Sequence, residues 1–409
     1  MDEATMRAGS AASAGPVRLV ITSMAIGGEA VGRDGTGKVV FVEGGLPGEE
    51  VDALVYDERG SYARASLVDV LLASPDRTEP PCPHVSRGCG GCGWQHILPD
   101  AQVGLKVALV TEALQRFGGL SQPDVLRGPA LPATRYRTSL RVAIAIGPDG
   151  KPGFRRRRSH EVVEVDSCLV AHPLLEELLA TGRFGAATEA VLRCSARTGE
   201  RLCVLGPTAE GADFGGVPEV VVVGRDQLGR GVRAAFHEEV AGHRFRVSAD
   251  SFFQARPDGG DALVGLVAEA LDAAPDGPLV DAYGGVGLFA AALGGDRRVT
   301  VVESSAPAAE DCRVNVPAAT VARVGVEKWQ PTRASIVVAD PPRSGLGRRA
   351  VEVLGGTGAT HLALVSCDAA SLGRDAKLLA GQGFELRRTT VVDMFPGTPH
   401  IETVSAFVR

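Results

Sequence analysis

From residue 262 onward one unit recurs: a short apolar run, a turn rich in glycine or proline, and a helix-like stretch. The runs sit in "GPLVDAYGG", "RRVTVVES", "ASIVVADPP" and "HLALVSC", "DALVGLVAEALDAA" reads as a helix, and a pair of strands closes the chain. Strands that alternate with helices in this way fold as a doubly wound, mostly parallel sheet. Such a sheet carries ligands and chemistry at the carboxyl ends of its strands. Glu303, Asp340 and Cys367, which end three of the runs, are therefore the first candidates for function. A thiol in that place is positioned as a nucleophile, although most unpaired cysteines are simply small buried hydrophobes.

The 409 residues leave room for two or three domains. Residues 1–16 have acidic residues early and no apolar core, which reads as a disordered start and not as a secretory signal or anchor. No apolar run is long enough to span a bilayer, so the expectation is a cytoplasmic monomer without a membrane partner. Residues 17–73 contain short alternating segments, "VRLVIT", "KVVFVE", "EEVDALVYD" and "YARASLVDVLL", broken by "GGEAVGRDGTG" and "EGGLPG". That is the pattern of a small antiparallel barrel. The proline-rich "SPDRTEPPCP" then opens a central α+β region, 74–246, with a helix over 100–117 expected to pack on the catalytic domain at 247–409.

Two local clusters stand out against an ordinary composition. Eight cysteines, three of them crowded into "CPHVSRGCGGCGW", suit a metal or cluster site in a reducing compartment better than a disulfide framework. Cys82, Cys89 and Cys92, with Cys168 from "EVDSCLVAHP", could hold either a four-iron cluster or a tetrahedral zinc, and their spacing does not choose between them. Cys194, Cys203 and Cys312 read as structural. With a net charge of −6, any nucleic-acid partner must be met by a local basic patch. Residues 135–158, "RYRTSLRVAIAIGPDGKPGFRRRR", hold seven arginines and one lysine against one aspartate. Arg135, Arg137, Arg155 and Arg156 are candidates for phosphate contacts and Phe154 for stacking on a base, although arginine runs are usually solvated faces.

"PLVDAYGGVGLFAAAL" describes a buried strand ending at Asp281, a turn with Gly284, Gly285 and Gly287, and an apolar helix start. Glycines let the backbone approach a ligand where side chains would clash, though they also mark plain tight turns. Glu303 lies 22 residues beyond Asp281, where a carboxylate can take the ribose hydroxyls of a nucleoside cofactor. The dinucleotide fingerprint is incomplete, because Ala290 stands three residues after Gly287, and this favours S-adenosylmethionine over NAD. In "IVVADPPRSGLG" two prolines stiffen the loop that presents Asp340. An acidic residue followed by Pro-Pro is typical of methyltransferases acting on a base. Arg343, where amino-methylating enzymes carry an aromatic, points toward methylation of carbon.

In order along the chain, the barrel of residues 17–73, the cysteine cluster, "SFFQ", "DAYGGVGLF", "ADPPRSGLG", "VSCD" and "DMFPGTPHIETV" resemble the RNA 5-methyluridine methyltransferases. The resemblance implies a class I methyltransferase sheet, an N-terminal OB-like TRAM barrel and a central iron-sulfur domain. It implies Cys367 as nucleophile and Glu402 as base, with Gln254, Tyr283, Gly285, Gly287, Glu303 and Asp340 lining the cofactor and base pocket. Among cofactors it implies S-adenosylmethionine and a [4Fe-4S] cluster on Cys82, Cys89, Cys92 and Cys168, with zinc as the runner-up. The implied substrate is a uridine in ribosomal or transfer RNA, with 23S rRNA favoured. Gly397 stands where relatives often carry methionine, and Leu288 where some carry a polar residue.

Two residues of this type are what the chemistry requires. Carbon 5 of uracil is a poor nucleophile, so a thiolate must first add to carbon 6, and a base must later remove the hydrogen left on carbon 5. The base must also leave its stack to reach a buried thiol. Two other readings fit parts of the sequence: an inactive RNA-binding or chaperone protein, against which the retention of Cys367 with Glu402 speaks, and a cytosine carbon-5 methyltransferase. The latter often has its cysteine after a proline where this chain has Arg343.

Overall fold

The computed structural model describes residues 15–145 and 150–409. Most of the expected disordered start, and Asp149 of the arginine-rich stretch, lie outside the described residues. The chain divides into two compact units. One comprises the chain up to Pro80 with Gly93–Leu105 and Gly397–Pro399, and the other comprises Pro81–Cys92, Lys106–Pro396 and His400–Arg409.

The first unit is built on a closed five-stranded barrel of Val17–Met24, Ala30–Arg33, Val39–Glu43, Glu50–Glu58 and Tyr62–Leu72. Alternate residues point inward, so Leu19, Ile21, Val40, Val42, Val51, Ala53, Ala63 and Ala65 fill the interior. Ala30–Arg33 corrects the sequence reading, which took that stretch as a break. Its four residues are too few, and too closely flanked by glycines, to show an alternating pattern. Glu49, fully buried, clamps the chain as it leaves the barrel. Its carboxylate accepts from Arg77 Nε at 2.5 Å and Arg77 Nη2 at 2.7 Å, and from the Leu46 backbone N–H at 2.8 Å. The departure at Gly397 has a conformational cause: its φ is +77°, in the left-handed region that strains a methionine. Its N–H donates to Gln102 Oε1 at 2.6 Å and its carbonyl accepts from the Trp94 N–H at 2.8 Å.

The second unit contains an eight-stranded sheet in the order Thr320–Ala322, Val299–Val302, Leu279–Ala282, Ile336–Ala339, His361–Ser366, Glu402–Val408, Glu385–Val392, Val125–Arg127. All strands run parallel except Glu402–Val408, which is antiparallel to both neighbours. The four runs read from the sequence are its central strands, and they are buried nearly throughout, as a sheet covered on both faces requires. Thr320–Ala322 and Val125–Arg127 went unread, because three residues at a sheet edge carry no periodicity.

A six-stranded sheet, in the order Val220–Gly224, Arg201–Gly206, Glu189–Cys194, Ser139–Ile144, Pro152–Arg155, Val162–Glu164, belongs to the same unit. Leu140, Leu175, Leu192, Cys194, Cys203 and Leu205 are among its buried core. Arg193 on this sheet donates to the carbonyls of Ser248 at 3.2 Å and Ser251 at 2.6 Å. With the Thr138 N–H donating to Ala255 O at 2.7 Å, it holds both ends of the "SFFQ" segment. Helix Pro99–Arg116 meets helix Ala369–Ala380 at Gly373, where a Cβ would stand 2.5 Å from the Ala113 carbonyl oxygen.

Lys106 on that helix is fully buried, and its ammonium donates to Asp393 at 2.6 Å and to Phe395 O at 3.3 Å. Removing one partner of such a pair strands the other charge away from water. Lys106→Met should therefore lower the urea midpoint by an amount equivalent to about 3 kcal/mol. The double variant with Asp393→Asn should lose less than the sum of the two single changes. An unchanged midpoint in the single variant would show the pair to be dispensable.

Candidate active site

The sheet register assembles the site. Ala282 pairs with Val302 on one side and Ala339 on the other, and Ala339 pairs with Leu364. The residues that follow the first three strands, Tyr283, Glu303 and Asp340, thus leave the sheet along one carboxyl edge. Across the antiparallel pair Ser366 faces Thr403, so the next rung sets Cys367 against Glu402. Thr403 Oγ1 donates to Ser366 O at 3.1 Å and fastens that last rung. Asp368 then caps the following helix, accepting from the Ser371 N–H at 2.7 Å.

These groups feel one another strongly. Burial pushes the half-buried Cys367 thiol up to about 11, with Glu402 and Asp340 adding to the rise and Arg343 opposing it. Burial likewise holds the Glu402 carboxyl well above its usual range, again with Asp340 adding and Arg343 opposing. Asp340 is raised to about 7 by burial. Three acids therefore share a site with one guanidinium, and low-dielectric surroundings keep protons on them. Arg343 Nη2 approaches His400 Nδ1 at 3.4 Å. His400 is lowered to about 4 by burial and by Arg343, Arg137 and Lys106, so its imidazole is neutral at neutral pH and can accept from the guanidinium.

The loop carrying Arg343 is tied down from below. Asp375, buried in helix Ala369–Ala380, accepts from the N–H groups of Leu346 at 2.7 Å and Gly347 at 3.0 Å. Gly345 is obligatory there: its φ is +78°, and a Cβ would lie 2.3 Å from Asp375 Oδ2. Sequence reasoning did not single out Asp375 or His400. The available signal for Asp375 was an acid among the inward-facing positions of "SLGRDAKLL".

At the glycine turn, Gly287 has φ +96° and its N–H donates to Gly284 O at 2.8 Å. Gly285, at φ +55°, donates its N–H to Glu303 Oε2 at 3.0 Å, and a Cβ there would meet nothing within 4 Å. The other Glu303 oxygen accepts from the Ser305 N–H at 2.5 Å. Tyr283, also left-handed at φ +59°, donates its hydroxyl to Glu327 at 3.0 Å. Asp281 is fully buried and raised to about 7 by burial. One of its oxygens accepts from the Ala290 N–H at 2.9 Å, and the other has no partner among the described residues. Open space over Gly285, a fixed carboxylate at Glu303 and an orphaned oxygen on Asp281 suit a polar nucleoside ligand. Leu288 is buried at the start of the helix after the turn, and Gln254 lies half-buried on the "SFFQ" loop.

Cys82, Cys89, Cys92 and Cys168 are half-buried. Burial raises Cys89 and Cys168; Cys82 adds to the shift of Cys89, and Cys82 and Cys89 both add to that of Cys168, so these three lie within electrostatic reach of one another. Cys92 makes itself felt on buried Tyr136. Among the described residues no three His, Cys, Asp or Glu side chains are grouped to hold a metal ion. The arginine-rich stretch is largely engaged. Arg135 pairs with Glu176 at 3.0 Å, Arg156 with Glu161 at 3.0 Å, and Arg155 approaches His160 at 2.6 Å. Arg137 lies over the Phe395 ring, 5.7 Å from its centre. Phe154 packs half-buried against the core of the six-stranded sheet.

Residues 17–68 match the TRAM domain family. A Streptomyces avermitilis protein described as an uncharacterized RNA methyltransferase is 37% identical over 420 residues, 94% of this chain and 96% of the relative. The 23S rRNA (uracil(1939)-C(5))-methyltransferase RlmD of Chromohalobacter salexigens is 32% identical over 429 residues, 96% of this chain and 89% of the relative. The fold is also that of the Pyrococcus abyssi tRNA (uracil-54, C5)-methyltransferase, solved in complex with S-adenosyl-L-homocysteine. It superposes with a TM-score of 0.74 at 23% identity, covering 96% of this chain and 99% of that one.

The electrostatics predict the reactivity of the free thiol. Alkylation of Cys367 by iodoacetamide, read by peptide mass spectrometry, should rise toward pH 11, well above the value of about 8.5 usual for thiols. At pH 8 Arg343→Gln should slow it, by removing the cation that favours the thiolate, and Asp340→Asn should speed it. Equal rates in all three proteins would contradict the electrostatic coupling.

Proposed function

Since the chain belongs to the RNA uracil-C5 methyltransferase family, we propose that it transfers a methyl group from S-adenosylmethionine to carbon 5 of a uridine in RNA, with 23S rRNA favoured as substrate. The observation that carries this reading is the antiparallel rung that sets Cys367 against Glu402 beside Asp340. A thiol and a buried carboxyl in that relation supply a nucleophile for carbon 6 and a base for carbon 5. When bound, S-adenosylmethionine supplies an electrophilic methyl group. Cys367 loses its proton to solvent water as its sulfur bonds to carbon 6, and the electron pair of the carbon 5–carbon 6 bond makes carbon 5 able to take the methyl. Glu402, in its ionised form, then accepts the hydrogen of carbon 5 as a proton, the double bond re-forms, and the thiolate leaves. Arg343 stabilises the negative charge that the two partners carry in turn.

Glu303 is assigned the ribose hydroxyls. Gly285 and Gly287 give the backbone room, and Tyr283, Gln254 and Asp340 complete the cofactor pocket. The division of labour is a barrel at 17–73, a central RNA-contacting region at 74–246 and a catalytic region at 247–409. Cys82, Cys89, Cys92 and Cys168 are assigned a [4Fe-4S] cluster. Sulfurs on a tetrahedral zinc stand about 3.8 Å apart, from a zinc–sulfur distance of about 2.3 Å. A cubane takes each thiolate on a different iron and so accepts a wider spacing. The mutual influence of Cys82, Cys89 and Cys168 supports a site that these thiols share. Arg135, Arg137, Arg155 and Arg156 are assigned to RNA phosphates.

Incubation with S-adenosylmethionine and ribosomal RNA lacking the modification, followed by nucleoside mass spectrometry, should yield 5-methyluridine. Cys367→Ala should yield none. Methylcytidine, or no methylated nucleoside with any RNA, would overturn the assignment. Glu303→Ala should raise KM for S-adenosylmethionine about 30-fold with kcat little changed, the loss expected for a hydrogen bond to a charged group. Protein purified without oxygen should be brown and hold iron and sulfide in equal amounts, and Cys89→Ser should lose both. Colourless protein with one zinc would replace the cluster.

A further inference from the structure

In the basic stretch at 135–158, Arg135, Arg141 and Arg156 pair with glutamates, and a strongly cationic groove lies elsewhere on the second unit. It is an open groove of about 700 Å³ where the end of helix Pro99–Arg116 meets helices Gly347–Gly355 and Ala369–Ala380. Arg116, Arg348, Arg374 and Lys377 line it over an apolar floor that includes Phe117 and Leu378. Its one acid, Glu352, is taken by Arg349 at 3.3 Å. Arg374 is felt by Asp375, but that carboxylate is occupied by two backbone N–H groups. Arg116 covers the Phe117 ring, 5.2 Å from its centre. Among the described residues none of these four cations forms an ion pair, in a chain whose net charge is −6. Four uncompensated cations over an apolar floor attract a polyanion, and the backbone of a nucleic acid is one.

The groove also begins at the right place. Helix Gly347–Gly355 follows the Asp340 loop, and helix Ala369–Ala380 starts directly beyond Cys367 and Asp368. Along the latter, at 1.5 Å per residue, Arg374 and Lys377 stand about 9 and about 14 Å from Asp368. That is the reach of nucleotides close to the extruded one. We infer that this three-helix groove binds the phosphate backbone of the substrate RNA next to the target uridine. The inference rests on the proposed RNA substrate. It adds a second anchoring surface that holds the strand while the base is extruded, through phosphates and therefore without reading sequence.

The test compares the full-length protein with Arg348→Gln/Arg374→Gln/Lys377→Gln. The control is Arg230→Gln/Arg297→Gln/Arg387→Gln, which removes three charges that are ion-paired elsewhere on the same unit. Fluorescence anisotropy with a labelled uridine oligonucleotide, titrated over a range of salt, should show the groove variant binding about tenfold more weakly. The slope of log affinity against log salt should fall by about 2, the value for three lost contacts to a single strand. The control should bind within about twofold of the parent, as paired surface charges contribute little. Methyl transfer to ribosomal RNA should show KM raised and kcat retained in the groove variant. Unchanged affinity and slope would overturn the groove assignment, as would equal loss in the control or no RNA binding by the parent protein. If anisotropy behaves as expected but the parent forms no 5-methyluridine, the groove assignment stands and the proposed reaction falls.

Discussion

The antiparallel pairing of Glu402–Val408 with His361–Ser366 is the constraint on which the site depends. Every other strand of the sheet runs one way, so only this reversal can bring a residue from the end of the chain to the edge where the parallel strands finish. A slip of one residue would turn every side chain of the strand to the opposite face and take Glu402 away from Cys367. The register is secured from several directions. Thr389 and Ser405 hydroxyls lie 2.9 Å apart between the last two long strands, Thr403 reaches the carbonyl of Ser366, and Lys106 grips Asp393 just before the return. The C-terminal strand is buried along nearly its whole length, which makes alternative registers costly.

The same burial that fixes the strand sets the chemistry. Two carboxyls and a thiol crowd around a single guanidinium, and their ionisation is suppressed in the absence of substrate. Such clusters do not favour folding, and shifts of this kind concentrate at functional sites. Asp281 adds a fourth raised acid with an unpartnered oxygen at the neighbouring turn. Loops that must carry these groups are over-determined: Asp375 ties the Arg343 loop, Gly345 admits it, and the paired prolines Pro341 and Pro342 keep it stiff. Here the chain accepts unfavourable electrostatics in return for preorganisation.

Much of this was legible in the sequence because the signal is local. A buried parallel strand is a run of apolar residues, and the end of the run marks the carboxyl edge, so Glu303, Asp340 and Cys367 could be placed from the sequence, whereas the strand read as ending at Asp281 runs on to Ala282 and puts Tyr283 at the edge. Strands of three or four residues, such as Ala30–Arg33, Thr320–Ala322 and Val125–Arg127, have no periodicity to read. The partners of a charge are equally invisible. Arginine 135 and Arg156 look available in the sequence and are paired with glutamates in the fold, while Arg348 and Lys377 are unremarkable in the sequence and share a cationic groove. Phe154 follows the same rule: four arginines follow it along the chain, while in space it packs against an apolar core.

The central claim is that Cys367 and Glu402 serve successive steps on one base, and the most direct measurement is a denaturing gel of protein mixed with RNA and S-adenosylmethionine. Glutamine at position 402 keeps the volume and hydrogen-bonding reach of glutamate but takes no proton. Glu402→Gln should therefore attack and methylate the base yet fail to release it, and a slowly migrating protein–RNA band should accumulate. Cys367→Ala should give no band, and the double variant should behave as the cysteine variant alone. Normal turnover by Glu402→Gln, or a covalent band from Cys367→Ala, would contradict the account.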